Sequence, residues 1–240
     1  MAIREGRSRR PPIWSTDYVS GDGLSEEHDV NMTFFTNSDP VKYEEAVKNS
    51  KWRIAMDEEI KSIEKNQTRH LVALPAGAKK IGVKWIYKTK LNELGEVDKY
   101  KARLVVKGYT QEHGIDYTGV FAPVARMDTV RMIIAFASQK GWKLHRLYVK
   151  SVFLHGELKE DIFVEQPRGY GKRGSEHMVY KLKKALYGLK QASRAWFSRI
   201  EFYFIKEGFE SSSSEHTLFV KRKKGNILIV SIYCCFSIMG

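Results

Sequence analysis

Apolar and polar positions change their period several times along the chain, and each change predicts an element. Tyr43, Val47, Trp52, Met56, Ile60 and Ile63 recur at spacings of three to five, with Glu and Lys between them. That spacing predicts an amphipathic helix. Asp39-Pro40 ahead of it reads as an N-cap acid followed by proline at the first helical position, so one helix is expected from about Asp39 to Lys65. Over residues 79–107 the period drops to two. Ile81, Val83 and Trp85 alternate with Gly82 and Lys84, a turn-like Leu91-Asn92-Glu93-Leu94-Gly95 follows, and Tyr100, Ala102, Leu104 and Val106 alternate with charge. This predicts a β-hairpin with one apolar and one cationic face.

Further on, Asp128 is placed to cap a helix carrying Val130, Ile133, Ile134 and Ala137, closed by Gly141. Residues 142–153 and 161–165 read as strands. A third helix is expected over residues 193–206, with Trp196, Ile200 and Phe204 inward and Gly208 at its end. Residues 217–222 and 227–233 read as strands joined by the turn Lys223-Lys224-Gly225-Asn226. Antiparallel strands interspersed with helices predict an α+β fold. Residues 1–38 have no lasting period and read as a flexible leader, and Gly21-Asp22-Gly23 in it reads as loop.

Composition adds a core and a charge. The chain has 240 residues, 42% hydrophobic and 12% aromatic, enough for one large domain or two small ones and unlike a disordered chain. It carries 41 Lys or Arg against 28 Asp or Glu, a net charge of +13, which favours an anionic partner. Residues 79–240 hold 30 cations and 15 acids, and residues 79–108 alone hold 9 and 3. The hairpin therefore concentrates the positive charge on one face; the alternative is a solvated lysine face.

Cys234 and Cys235 are the only cysteines and are adjacent, so they form no disulfide framework and make a poor zinc site. That fits a reduced, intracellular protein. No apolar run reaches the length needed to span a bilayer, and the Arg-rich start (Arg4, Arg7, Arg9, Arg10) is followed by no apolar stretch of a secretory signal. No membrane partner is expected.

One set of motifs is specific. It comprises Glu58-Glu59-Ile60, Lys84-Trp85-Ile86-Tyr87-Lys88, Tyr100-Lys101-Ala102-Arg103-Leu104-Val105 and Lys107-Gly108-Tyr109-Thr110-Gln111. Gly114-Ile115-Asp116-Tyr117, Phe121-Ala122-Pro123-Val124 and Val164-Glu165-Gln166-Pro167 follow, and Ala185-Leu186-Tyr187-Gly188-Leu189-Lys190-Gln191 completes the series. In this order, from about Tyr43 onward, the chain resembles the reverse transcriptase of copia-type (Pseudoviridae) LTR retrotransposons.

The resemblance implies a right-hand polymerase: fingers and partial palm over residues 39–236, an antiparallel palm sheet with packed helices, no thumb, and a non-homologous tail at 237–240. It implies an RNA-directed DNA polymerase whose partner is a template-primer of RNA or DNA and whose cofactor is Mg²⁺. It further implies that Lys88, Lys101 and Arg103 meet phosphates, Arg103 those of the incoming nucleotide. Phe153 matches the aromatic gate against a ribose 2′-OH, with plain core packing as the alternative. Gly188 and Gln191 match a loop that approaches template and incoming base, and Tyr187 beside them could stack on a base.

The family's metal carboxylates are not at the matched positions. Tyr148 stands in Leu147-Tyr148-Val149-Lys150 where the first aspartate belongs, and Cys235 and Phe236 stand where the aspartate pair belongs. Mg²⁺ requires hard oxygen ligands; a phenol with a pKa of about 10, a thiol and a benzyl group do not suit it. Glu157, Asp161 and Glu165 lie downstream but not at the facing position. The expectation is a degenerate, truncated reverse transcriptase that binds no Mg²⁺ productively, with a non-specific nucleic-acid-binding module as the alternative. The tail from Cys234 reads like a shifted frame. Arg69 stands at a usual tryptophan, and Ser193 at a usual proline where it can serve as helix cap. The apolar run 227–236 is expected to lack its neighbouring strand.

Overall fold

The structure, a computed structural model, describes residues 39–233. The leader 1–38, the tail 237–240, Cys234, Cys235 and Phe236 lie outside the described residues. The elements are α1 (Tyr43–Ala46), α2 (Ser50–Lys65), β1 (Arg69–Val72), β2 (Lys80–Ile81), β3 (Val83–Leu91), β4 (Val97–Val106), α3 (Met127–Lys140), β5 (Glu157–Val164), β6 (Val179–Lys184), α4 (Ala192–Lys206), β7 (Glu210–Ser211), β8 (Leu218–Lys223) and β9 (Asn226–Ser231). Helices and mainly antiparallel strands are mixed, as the α+β reading expects.

The strands form three sheets. One has the order β1-β6-β5-β2, antiparallel except for the β2–β5 edge. The second is the β3–β4 hairpin, in register from Val83↔Val106 to Lys90↔Lys99. The third has the order β7-β8-β9. The β8–β9 turn places Lys224 and Gly225 at φ of 49° and 79°, the two left-handed residues that a tight hairpin of this twist needs.

The core lies between α2 and the sheets. Trp52, Met56, Ile60 and Ile63 bury one face of α2 against Trp85, Tyr87, Ala102 and Leu104 of the hairpin, and Ile162, Val164 and Leu182 extend the cluster. The Trp52 ring meets Tyr87 and Tyr100 edge-on at 5.4 and 5.0 Å. Those aromatic pairs hold the hairpin's inner face to α2 and turn its cationic face outward.

Several expectations change. The helix from Asp39 to Lys65 is two helices: Asn49 caps α2 by accepting from the Lys51 amide at 3.0 Å. Asp39 caps nothing, because its carboxylate accepts from the Thr89 amide at 3.0 Å and from the Thr89 hydroxyl at 2.5 Å. Asp128 lies in the first turn of α3, behind Arg126 at the cap position, and pairs with Arg131. Ser193 lies inside α4, whose cap position is Gln191. Gly141 ends α3 in the left-handed conformation as expected.

Residues 142–150 are not a strand. They are exposed, with Leu147 88% accessible, and no strand pairs with them among the described residues. An alternating pattern makes a strand only where a neighbour satisfies its backbone. Val152–His155 is a short 3-10 turn instead. β9 is the edge of its sheet, with Ile227 and Leu228 exposed.

Candidate nucleotide and nucleic-acid interface

The hairpin sets the positions. Lys88 faces Lys101 directly across the strands, Lys90 faces Lys99, and Ile86 faces Arg103. These alternate positions share the face opposite Trp85 and Tyr87. Burial depresses the Lys101 ammonium, and Arg103, Lys99 and Lys90 depress it further. Lys84 is lowered by burial and then by Lys107. An anion on this face would relieve that crowding.

Arg103 is not a free cation. Its Nη1 donates to Glu59 Oε2 at 2.7 Å and to the Ala102 carbonyl at 3.2 Å. Its guanidinium carbon sits 5.4 Å from the Tyr187 ring centroid, a cation–π arrangement. Phe153 meets Tyr187 edge-on at 4.8 Å and packs against the core. Arg103, Tyr187 and Phe153 are thus brought together, beside the Lys88–Lys101 pair.

The 187–191 loop is fastened to β4 by its backbone. Val106 donates its amide to the Tyr187 carbonyl at 2.8 Å, and Val105 bridges Tyr187 in parallel. Gly188 has φ of 89°, and a Cβ there would run into the Val106 carbonyl and the Val105 side chain. Only glycine serves at that position.

Gln191 faces inward. It is 2% accessible, its Nε2 donates to the Asp116 carbonyl at 2.9 Å, and its Oε1 accepts from Gln111 Nε2 at 3.0 Å. Gln111 in turn accepts from the Lys190 amide at 2.9 Å. Its side chain is committed to holding the loop. The sequence reading overlooked Gln111 and Glu59 as site residues, although both lie inside motifs that it singled out. A buried partner is the missing information, and spacing does not show it.

Among the described residues the donors for a metal do not come together. Tyr148 is 75% exposed on the unpaired segment 142–150. Glu157 pairs with Arg199 at 3.7 Å, Asp161 with Lys181 at 2.7 Å and Glu165 with Lys80 at 3.4 Å. No three His, Cys, Asp or Glu side chains among the described residues are grouped to hold a metal ion. These residues do not fit the hard-oxygen site that Mg²⁺ needs. No helix among them is long and apolar enough to cross a membrane.

Comparison with known proteins places the chain. The family described as reverse transcriptase (RNA-dependent DNA polymerase) matches residues 66–238. This chain belongs to that reverse transcriptase family. It is 37% identical over 230 residues to the retrovirus-related Pol polyprotein from transposon TNT 1-94 of Nicotiana tabacum, covering 95% of this chain and 17% of the polyprotein. It is 36% identical over 208 residues to the corresponding polyprotein from transposon RE1 of Arabidopsis thaliana, covering 86% of this chain and 14% of that one. An uncharacterized mitochondrial protein of Arabidopsis thaliana is 37% identical over 116 residues, which is 48% of this chain and 68% of that protein. No solved structure matches. The copia-type relatives make this reverse transcriptase a copia-type Pol segment, spanning less than a fifth of the polyproteins it matches.

Proposed function

We propose that this reverse transcriptase segment is the fingers and part of the palm of a copia-type polymerase, and that it binds nucleic acid without extending it. The observation that supports binding is the placement of Lys88 directly opposite Lys101, with Arg103 on the same face and Tyr187 beside it. Paired ammonium groups meet a phosphodiester backbone without reading its sequence. Arg103 adds a planar fork suited to phosphate.

The inactive reading rests on the matched metal positions. Tyr148 replaces one carboxylate, and Cys235 and Phe236 replace the others. Nucleotide addition by two metal ions depends on those ligands to hold the attacking and leaving oxygens, and Glu157, Asp161 and Glu165 are engaged with cations elsewhere. Charge attracts the template-primer, while the chemical step has no metal platform.

The test joins primer extension to a salt titration. With Mg²⁺ or Mn²⁺ the chain should extend no primer on an RNA or DNA template. Its affinity for a duplex should fall steeply between 50 and 200 mM salt. Lys88→Ala with Lys101→Ala should lower the slope of log K against log salt by roughly 0.9 for each ammonium–phosphate pair that the substitutions abolish. Template-dependent synthesis abolished by Arg103→Ala would overturn the inactive reading. A flat salt dependence would overturn the binding reading.

A further inference from the structure

The Arg103 guanidinium has two unlike edges. Nη1 is committed to Glu59 and the Ala102 carbonyl. Nε and Nη2 carry three more N–H groups between them, and they make no bond to protein among the described residues. The Arg103 side chain is 33% exposed, while that of Glu59 is 3% exposed. One edge of the fork therefore faces a buried carboxylate, and the rest is available to solvent over Tyr187.

Glu59 is held in that place by its helix. It lies on the buried face of α2, next to Ile60 and one turn from Met56 and Ile63. Among the described residues Arg103 is its one ion-pair partner, and its Oε1 is buried with no hydrogen-bond partner. A carboxylate so placed cannot turn to water, and it stays against the guanidinium whatever approaches from outside.

We infer that Glu59 is a built-in counter-anion that sets how strongly Arg103 takes a phosphate group. It holds the guanidinium over Tyr187 and leaves Nε and Nη2 without a bond to protein among the described residues. It also places a negative charge behind the cation, and that charge repels an incoming anion. The site is thereby oriented for phosphate and attenuated towards it. Two negative charges about 7 Å apart across a partly buried guanidinium weaken binding by about tenfold or more. This rests on the reading of Arg103 as a phosphate ligand.

The probe is inorganic tripolyphosphate, titrated without divalent metal into the full chain and followed by calorimetry. Glu59→Gln keeps the shape and removes the charge, and it should tighten binding about tenfold. Glu59→Asp keeps the charge and withdraws it by one methylene, and it should give a smaller gain in the same direction. It decides the matter if the Gln variant does not fold. A carboxylate that only props the guanidinium predicts the opposite sign, weaker binding in both variants. Unchanged or weaker binding in whichever variant folds overturns the inference, as does undetectable binding in the wild type and both variants. Arg103→Ala separates the two levels. If it leaves tripolyphosphate affinity unchanged, the phosphate-ligand reading itself fails; if it abolishes binding and the Glu59 variants show no gain, only the counter-anion role fails.

Discussion

Gly108 and Gly188 meet backbone against backbone where the 187–191 loop crosses the end of β4. A Cβ on Gly108 would run into the Gly188 carbonyl oxygen, well inside the 3.0 Å that real Cβ atoms keep, and one on Gly188 would run into Val106. Gly188 is also held at a φ of 89°. The close approach carries the Val106–Tyr187 bond, so it places Tyr187 beneath Arg103. Gly108→Ala and Gly188→Ala should each destabilise the fold by about 2 kcal/mol or more, through backbone displacement. Urea unfolding of each variant checks this. A destabilisation under about half a kcal/mol would show that the approach is loose.

Arg69 gives a prediction of the opposite sign. Its guanidinium stacks 3.9 Å from the Tyr180 ring centroid, and its Nη1 is buried with no hydrogen-bond partner among the described residues. Burial lowers its pKa, against Tyr180 and Glu64, which raise it. Replacing a half-buried, poorly satisfied cation by an apolar side chain removes that desolvation cost. Arg69→Trp should stabilise by about 1–3 kcal/mol. The midpoint of urea unfolding should rise with an unchanged slope.

Glu59 makes stability depend on pH. Burial raises its carboxyl above the ordinary value of 4.5, against Arg103 and the Leu104 amide, which pull it down. The folded chain therefore holds this proton more tightly than the unfolded chain. The contribution of Glu59 to stability is fully present below pH 4.5 and is lost as pH rises through the raised folded value. Glu59→Gln carries no such proton. The stability difference, wild type minus variant, should fall with rising pH above 4.5 and then level off. Denaturant unfolding at half-unit pH steps measures it, and a rising difference would contradict the direction.

The hairpin was legible because its information is local. Alternation over residues 79–107 placed Val83 and Trp85 on one face and Lys84 on the other, and a pleated strand permits no other arrangement once one face is buried. The same local logic found α4 and the glycines that close helices. It did not find β1 or β6: Arg69–Val72 takes its partner, Val179–Lys184, from far along the chain, and local alternation does not name such a partner. It wrongly made residues 142–153 a strand, because a strand pattern does not say whether a partner is present.

What the sequence determined by itself is the family and the cationic face, both of which are questions of which side chain stands where. Tertiary structure decided what those side chains are free to do. It bound Arg103 to Glu59 across 44 positions of sequence and turned Gln191 onto Gln111 and Asp116. It also set Glu157 and Asp161 of β5 against cations. Burial gives the pairings of Glu59 and Gln191 their force. A charge or an amide removed from water must take the partner that the fold brings within reach, and no spacing along the chain names that partner.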